Sequence, residues 1–367
     1  MINILHVVGA MDRAGTETFI MNLYRHMDRA NVQFDFLVNA QQPCDYDQEI
    51  ISMGGKIHRI PTYSLINYLS YRQAFRTFLA EHPEYQIIHG HIGSSAPVYL
   101  AEAKRQGRYT IAHSHSAVHT TSLRDVAFKA AARPVRGIAD HYMACSPEAA
   151  LDRFGPKIAA SDSCCIVNNG IDTEAYARNP GCIARAKASF GFGDEPVFGH
   201  IGRFSPEKNH RFLLSVFADI KRSLPSAKLL LIGRGPEETS IHEQAQAIGL
   251  SDAVIFAGIR DDIPEALRSM DVFLFPSIYE GLGISFVEAQ AAGLHCIAST
   301  GTPDHACISD RVQRLSLDKD LWTTKAIAAY EASRRSKDDR CALIKEKGFD
   351  IGTVADMLFE FYREHSV

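Results

Sequence analysis

The sequence predicts an α/β protein made of two doubly wound parallel sheets in tandem. Short apolar runs alternate with longer segments of 3.6-residue periodicity, which is the βαβ signature of a parallel sheet covered on both faces. The alternation stops in a polar stretch, Thr173–Pro180, and then restarts. The chain has 367 residues, enough for two domains of roughly 150 each.

In order, the apolar runs of the first half are Ile2–Val8, Phe34–Asn39, Ile57–Ile60, Ile87–His91, Thr110–His113, His141–Cys145 and Cys165–Asn168. Glu17–Met27 and Asn67–Glu81 carry helical spacing between them. The second half repeats the pattern with Val197–Ile201, Lys228–Ile232, Val254–Phe256, Val272–Phe275 and Cys296–Ser299 as strands. Asn209–Leu224, Glu237–Ile248, Ile263–Met270 and Ser285–Ala292 are its helices, and Thr353–His365 reads as one more. The expected boundaries are 1–175, 176–350 and a C-terminal helical segment 351–367. There is no internal repeat of 20–50 residues and no low-complexity segment.

Composition removes several classes of function. Apolar residues make up 46% and charged residues 22%, as in an ordinary globular protein. Lys plus Arg number 39 against 43 Asp plus Glu, a net charge of −4, so nucleic-acid binding by bulk charge is not expected. No stretch reaches the ~18 apolar residues of a membrane span, and the start lacks a basic signal region. The eight cysteines show no CxxC spacing. These features together predict a cytoplasmic protein with reduced thiols.

Ligands of open α/β sheets bind beyond the carboxyl ends of strands, so the loops that leave strands and open helices are where functional residues should lie. One such loop holds Gly202, Arg203, Lys208 and Asn209. A cation beside a helix start is disfavoured by about 0.3–1 kcal/mol, and two cations there make sense beside a polyanion. Solvated surface charges are the alternative. A second loop runs Pro276, Ser277, Tyr279, Glu280, Gly281, Leu282, Gly283, Ile284 and Ser285 to Glu288. Its glycines allow close backbone approach, and the following helix offers N–H groups to phosphate oxygens. Ser285 and Glu288 also fit a capping box, and Glu280 alone reads as a loop carboxylate. The Glu-x7-Glu spacing across a glycine-rich turn is rarer than either. A third loop, Asp12–Glu17, places Gly15 at the start of the first helix. Neither GxGxxG nor GxxxxGK[ST] follows a strand, which weakens dinucleotide and P-loop readings.

Histidines come in i, i+2 pairs, His89 with His91 and His113 with His115, with His119 beyond. Alternate residues share a strand face, so each pair could chelate a metal. No carboxylate or cysteine stands beside them at ligand spacing, and they are read as a polar wall with one ring touching a ligand. Asp45/Asp47 and Asp318/Asp320 are read as turn or helix-start residues. No metal ligand is therefore assigned.

These residues resemble the retaining glycosyltransferases of family 4. Ile201-Gly-Arg203-x4-Lys208 is similar to that family's diphosphate loop, and Glu280-Gly-Leu-Gly-x4-Glu288 to its Glu-x7-Glu element, followed by Ala289, Ala291 and Gly293. Asn169-Gly-Ile-Asp172 is similar to the end of the family's first domain. Ile111-Ala-His113-Ser-His115-Ser resembles the bacterial exopolysaccharide and capsule branch. The resemblance implies the GT-B fold, two Rossmann-like doubly wound domains facing across a cleft. The first would serve the acceptor and the second the nucleotide-sugar donor, with the last helix packing back on the first.

The resemblance also implies roles. Arg203 and Lys208, with Gly202, would meet the diphosphate, and Glu288 the ribose hydroxyls. Glu280 and the backbone of Gly281, Leu282, Gly283 and Ile284 would hold the sugar and a phosphate. Backbone near Ile259 and Arg260 would meet the base. Gly15 would let the first domain close on the phosphates, and His115 aligns with the family's active-site histidine. Departures from the pattern are Ala14-Gly15 where two glycines are usual, and Asp304 where Glu is common. The implied reaction moves a hexose or N-acetylhexosamine from a UDP-sugar to a glycan or lipid-linked acceptor without a metal or other cofactor. Residues 119–140, with Arg124, Lys129, Arg133 and Arg136, could rest on an anionic membrane at the inner face of the plasma membrane. The alternatives are a sugar-nucleotide 2-epimerase on the same fold and a catalytically silent nucleotide-sugar binding protein.

Overall fold

A computed structural model describes residues 1–64, 66–115, 130–336 and 338–366. The chain forms two compact units, Met1–Gly170 with Ile351–Val367, and Ile171–Asp350.

The first unit is a seven-stranded parallel sheet. Its strands are β1 (Ile2–Val8), β2 (Val32–Val38), β3 (Ile57–Arg59), β4 (Tyr85–Gly90), β5 (Tyr109–Ser114), β6 (His141–Ala144) and β7 (Cys164–Ile166). They lie in the order β3-β2-β1-β4-β5-β6-β7. β1 and β2 are mostly apolar because both faces are covered, and Ile4, Leu5, Val7, Phe34, Phe36 and Leu37 are all fully buried. Helices Tyr68–Glu81 and Ala96–Arg105 are tied together through buried Glu102, which accepts from Arg72 Nε at 2.8 Å and Arg76 Nε at 2.7 Å. Hydrogen bonding to Arg76 leads in holding that carboxyl down to about 2. The helix Ile351–His365 belongs to this unit. Its Tyr362 is buried edge-on against Phe34, and the Tyr362 hydroxyl lies 2.7 Å from His89 Nδ1.

The second unit is a six-stranded parallel sheet of β8 (Val197–Ile201), β9 (Lys228–Ile232), β10 (Val254–Phe256), β11 (Val272–Phe275), β12 (His295–Ser299) and β13 (Val312–Leu315). The order is β10-β9-β8-β11-β12-β13. One face packs the apolar stripe of helix His210–Ser223, where Leu213, Leu214 and Phe217 join Phe198, Leu229, Leu231, Leu274 and Trp322 in a dry core. β13 was not expected from the sequence. It is an edge strand paired only with β12, and its Gln313 and Arg314 break the apolar run.

The acidic pairs are structural. Asp47 opens helix Asp47–Ser52 and binds Arg59 at 2.5 Å, Asp45 accepts from Arg13 N, and Asp318 caps helix Lys319–Ser333 through Leu321 N at 2.8 Å. Of the stretch 119–140 expected to meet a membrane, residues 119–129 lie outside the described residues. Within the remainder, Arg136 Nε donates to Arg153 O at 3.0 Å and Val135 is buried. Among the described residues, no helix is long and apolar enough to cross a membrane.

Candidate functional site

Both sheets reverse direction of growth at one point. The chain builds outward from β8 through β9 to β10, then returns to place β11 on the other side of β8. Loops leaving β8 and β11 therefore diverge, and the space between them is where α/β sheets take ligands. These are the loops carrying Arg203 with Lys208 and Glu280 with Glu288.

Several bonds lock the two loops together. Ile278 N donates to Glu207 O at 2.7 Å, Asn209 Nδ2 to Pro276 O at 3.3 Å, and Ser285 Oγ to Ile201 O at 2.9 Å. The last bond corrects the capping-box expectation. Ser285 does not cap its own helix, because helix Ile284–Ala291 begins at Gly283 and the serine hydroxyl is spent on the neighbouring loop. Gly283 has φ +82°, and a Cβ there would lie 2.7 Å from the Phe275 ring. Only glycine makes that turn without strain.

Lys208 differs from its expected setting. It closes a short 3-10 turn, Pro206–Lys208, and Asn209 at φ 56° separates it from the helix start at His210. Its ammonium is ion-paired with Glu280, whose side chain is 8% exposed, and lies 5.7 Å from the Phe275 ring centre. A lysine and a carboxylate thus hold each other at the mouth of the loop pair. Arg203 is exposed on the same loop and makes no ion pair among the described residues. Gly202 N donates to Ile232 O at 2.9 Å. Ile284, at the first helical position, leaves its N–H without an acceptor inside the helix.

Glu288 is buried, not a cap. Its Oε1 accepts from the Tyr176 hydroxyl at 2.6 Å, and burial pushes its carboxyl up to about 7, with Tyr176 acting in the opposite direction. Tyr176 sits on the 3-10 turn Thr173–Tyr176 and gave no signal in the sequence, where that stretch read as a polar connection. Gly233, Arg234 and Gly235 after β9 were also passed over. Gly233 at φ +135° lies against Gly202 O, and Phe204 N donates to Arg234 O at 3.0 Å. A Gly-x-Gly directly after a strand was the available signal. Ile259 is exposed beyond β10, and Arg260 pairs with Asp262 at 2.6 Å while lying over the Phe190 ring.

The first unit has its own reversal point, between β1 and β4. Gly15 begins the helix Gly15–His26 after β1, and a Cβ at that position would meet open space, so the chain's own packing does not demand glycine. His115 is not an isolated ring. The register places His6 beside His89, and the two expected pairs merge with His6 into a single five-ring cluster. His6 Nδ1 lies 2.9 Å from His91 Nε2, His91 Nδ1 lies 2.7 Å from His115 Nε2, and His89 Nε2 lies 3.0 Å from His113 Nδ1. Burial drives His6 and His115 down to about 3, Asn169 acting oppositely on His115, and His89, His91 and His113 go well below their usual range. Neutral rings are therefore what this site presents.

Comparison with known proteins matches both halves in order. Residues 13–175 match the model of Glycosyltransferase Family 4, and residues 184–330 that of Glycosyl transferases group 1. The EpsF protein of Bacillus subtilis, assigned provisionally as a glycosyltransferase, is 33% identical across 98% of this chain and 96% of its own length. A GDP-mannose-dependent α-(1-6)-phosphatidylinositol monomannoside mannosyltransferase of Mycolicibacterium smegmatis is 27% identical over 71% of this chain and 70% of its own. Among solved structures, Anabaena HepE in complex with UDP-glucose superposes with a TM-score of 0.81 at 18% identity, covering 99% of this chain and 100% of that one. With its two parallel sheets, both family domains in sequence and a relative aligned end to end, the chain belongs to the family 4, group 1 glycosyltransferases of GT-B fold.

Proposed function

We propose that this glycosyltransferase moves a hexose or N-acetylhexosamine from a UDP-sugar to a hydroxyl of a glycan or lipid-linked acceptor, with retention of anomeric configuration, in cell-surface polysaccharide synthesis. The observation that carries the reading is the Lys208–Glu280 pair set between the loops of β8 and β11, with Arg203 exposed beside it. A diphosphate leaving from an oxocarbenium-like carbon gains charge as it departs. Lys208 and the N–H groups from Gly281 to Ile284 are held in place before the reaction and, joined by the exposed Arg203, stabilise that charge at little reorganisation cost. This arrangement can replace a divalent metal, so transfer is expected without one. Glu288, once ionised, accepts from the ribose hydroxyls, and backbone at Ile259 and Arg260 meets the base.

Glu280 keeps Lys208 oriented and holds the sugar hydroxyls. With no second carboxylate assigned as a nucleophile, the acceptor attacks on the face the diphosphate leaves. The sugar–phosphate bond breaks, the acceptor C–O bond forms, and the acceptor proton goes to the leaving phosphate. His115, neutral through burial, positions the sugar, and Gly15 admits the phosphates on the side of the first unit. UDP is supported by the ligand of the HepE complex, whereas the mycolicibacterial relative is named for GDP-mannose.

The test is a thermal-shift screen of UDP- and GDP-sugars followed by product analysis. A donor at 100 times its dissociation constant adds ~2.7 kcal/mol of stability. Free UDP with a lengthened glycan supports the reading. An isomerised donor without acceptor would make the protein a 2-epimerase, and binding without turnover a silent binding protein. Flotation with anionic liposomes tests membrane contact through residues 119–140, and protein left unbound ends that part of the proposal.

A further inference from the structure

The imidazole cluster of the first unit contains more than a sugar-positioning histidine requires. Five rings, His6, His89, His91, His113 and His115, stack at the carboxyl ends of β1, β4 and β5, with ring centres 4.1–5.4 Å apart. Among the described residues, no carboxylate hydrogen-bonds to any of them.

We propose that His91, His113 and His115 form a binding site for a divalent transition cation of the zinc, nickel or copper type, with His6 and His89 anchoring the ligand rings from behind. One ring nitrogen from each of the three lies within 4.8 Å of the other two. Bonds of ~2.0–2.1 Å to one ion would bring such nitrogens to roughly 3.0–3.4 Å, a distance reached by small ring rotations. His91 Nδ1 and His115 Nε2 are already 2.7 Å apart.

The hydrogen bonds give His91 and His113 an anchored nitrogen and an inward one, while His115 faces His91 Nδ1 with its Nε2 and keeps a buried Nδ1 without a partner. His91 Nε2 faces His6 Nδ1 at 2.9 Å, His113 Nδ1 faces His89 Nε2 at 3.0 Å, and His89 Nδ1 faces the Tyr362 hydroxyl at 2.7 Å. With the proton of His91 on Nε2 and that of His113 on Nδ1, a lone pair is left on His91 Nδ1 and on His113 Nε2. His113 is 5% exposed, and its Nε2 is buried without any partner. An orphaned acceptor there is a cost that a cation removes. Outer partners that fix the tautomer of a ligating histidine are the usual accompaniment of such sites. The donor set consists of imidazole nitrogens alone, which suits zinc, nickel or copper rather than magnesium or calcium. A second grouping, His6 with His89 and His91, also comes within 4.8 Å, but His6 and His89 are fully buried while His91 and His115 reach solvent. The outer triad is therefore the one an ion enters.

The test uses full-length, tag-free protein stripped with chelator and titrated with Zn²⁺ by calorimetry, with Co²⁺ as a spectroscopic substitute. One equivalent of Zn²⁺, a raised Tm and Co²⁺ d–d bands of a nitrogen-ligated site are expected. His91→Gln should abolish the binding. His6→Phe, which keeps the ring's volume, should retain one equivalent with roughly 10–100-fold weaker affinity. His82→Asn, in the separate His58–His82–Glu84 group, should change nothing. No binding to the wild type, or binding untouched by His91→Gln, overturns the proposal. If His91→Gln does not fold, His113→Gln and the wild-type Co²⁺ spectrum decide it, an unaltered aquo-ion spectrum counting against the site. None of these readouts depends on sugar transfer.

Discussion

The two sheets reverse their strand order in the same way, at β1/β4 in one unit and at β8/β11 in the other, yet the side chains gathered at the two reversals are opposite in kind. In the second unit they are ionic: Arg203, Lys208 and Glu280, with Glu288 buried and its carboxyl pushed up to about 7. In the first they are five imidazoles that burial keeps neutral. Topology supplies a crevice in each case, and the sequence of the departing loops decides what the crevice can hold. Fixed charge suits a diphosphate. Neutral rings suit sugar hydroxyls or a soft cation.

Substitutions on the two sides should therefore separate chemistry from nucleotide binding. Lys208→Ala removes a fixed cation and should lower turnover by about 10²–10³-fold, with Tm moved by only a few degrees, in steady-state assays and calorimetry. Turnover near that of the wild type would remove Lys208 from the diphosphate. His115→Asn lies in the other unit. It should slow transfer by about 10²-fold and leave UDP affinity unchanged, and a loss of UDP affinity would erase the distinction between the two crevices.

Glu288→Gln sharpens the contrast through pH. The folded carboxyl titrates near 7 against 4.5 in an unfolded chain, so its contribution to stability is full below about 4.5 and is lost as pH rises through about 7. The variant, neutral throughout, should match the wild type near pH 4.5 and exceed it at pH 8 by up to about 3 kcal/mol in denaturant titrations. Its UDP affinity should be weaker, and it should lack the rise in affinity with pH through about 7 expected of the wild type. The smallest change is Gly283→Ala. A Cβ 2.7 Å from Phe275 at φ +82° should cost about 1–3 kcal/mol of stability, measured by urea unfolding.

Periodicity made the sheets legible because both faces of β1, β2, β8 and β11 are covered and most of their residues are apolar, β11 without interruption. β13 escaped because an edge strand can carry Gln313 and Arg314. Spacing located Arg203, Lys208, Glu280 and Glu288 but misjudged how two of them are held. Whether Ser285 caps its own helix or binds Ile201 depends on a contact 84 residues away in sequence. The partner of Glu288, Tyr176, is 112 residues away. His6 joined the other histidines only through strand register, which no local pattern encodes.

The segment Ile351–His365 belongs to the unit that the chain starts with, and it supplies Tyr362, fully buried between Phe34 and His89. During synthesis the first sheet emerges from the ribosome long before that tyrosine exists. Until then the groove over Phe34 stays open and His89 lacks its hydroxyl partner. The part of the protein made earliest is the last to be completed, and a ribosome that stalls anywhere in the second unit leaves the first one unsealed.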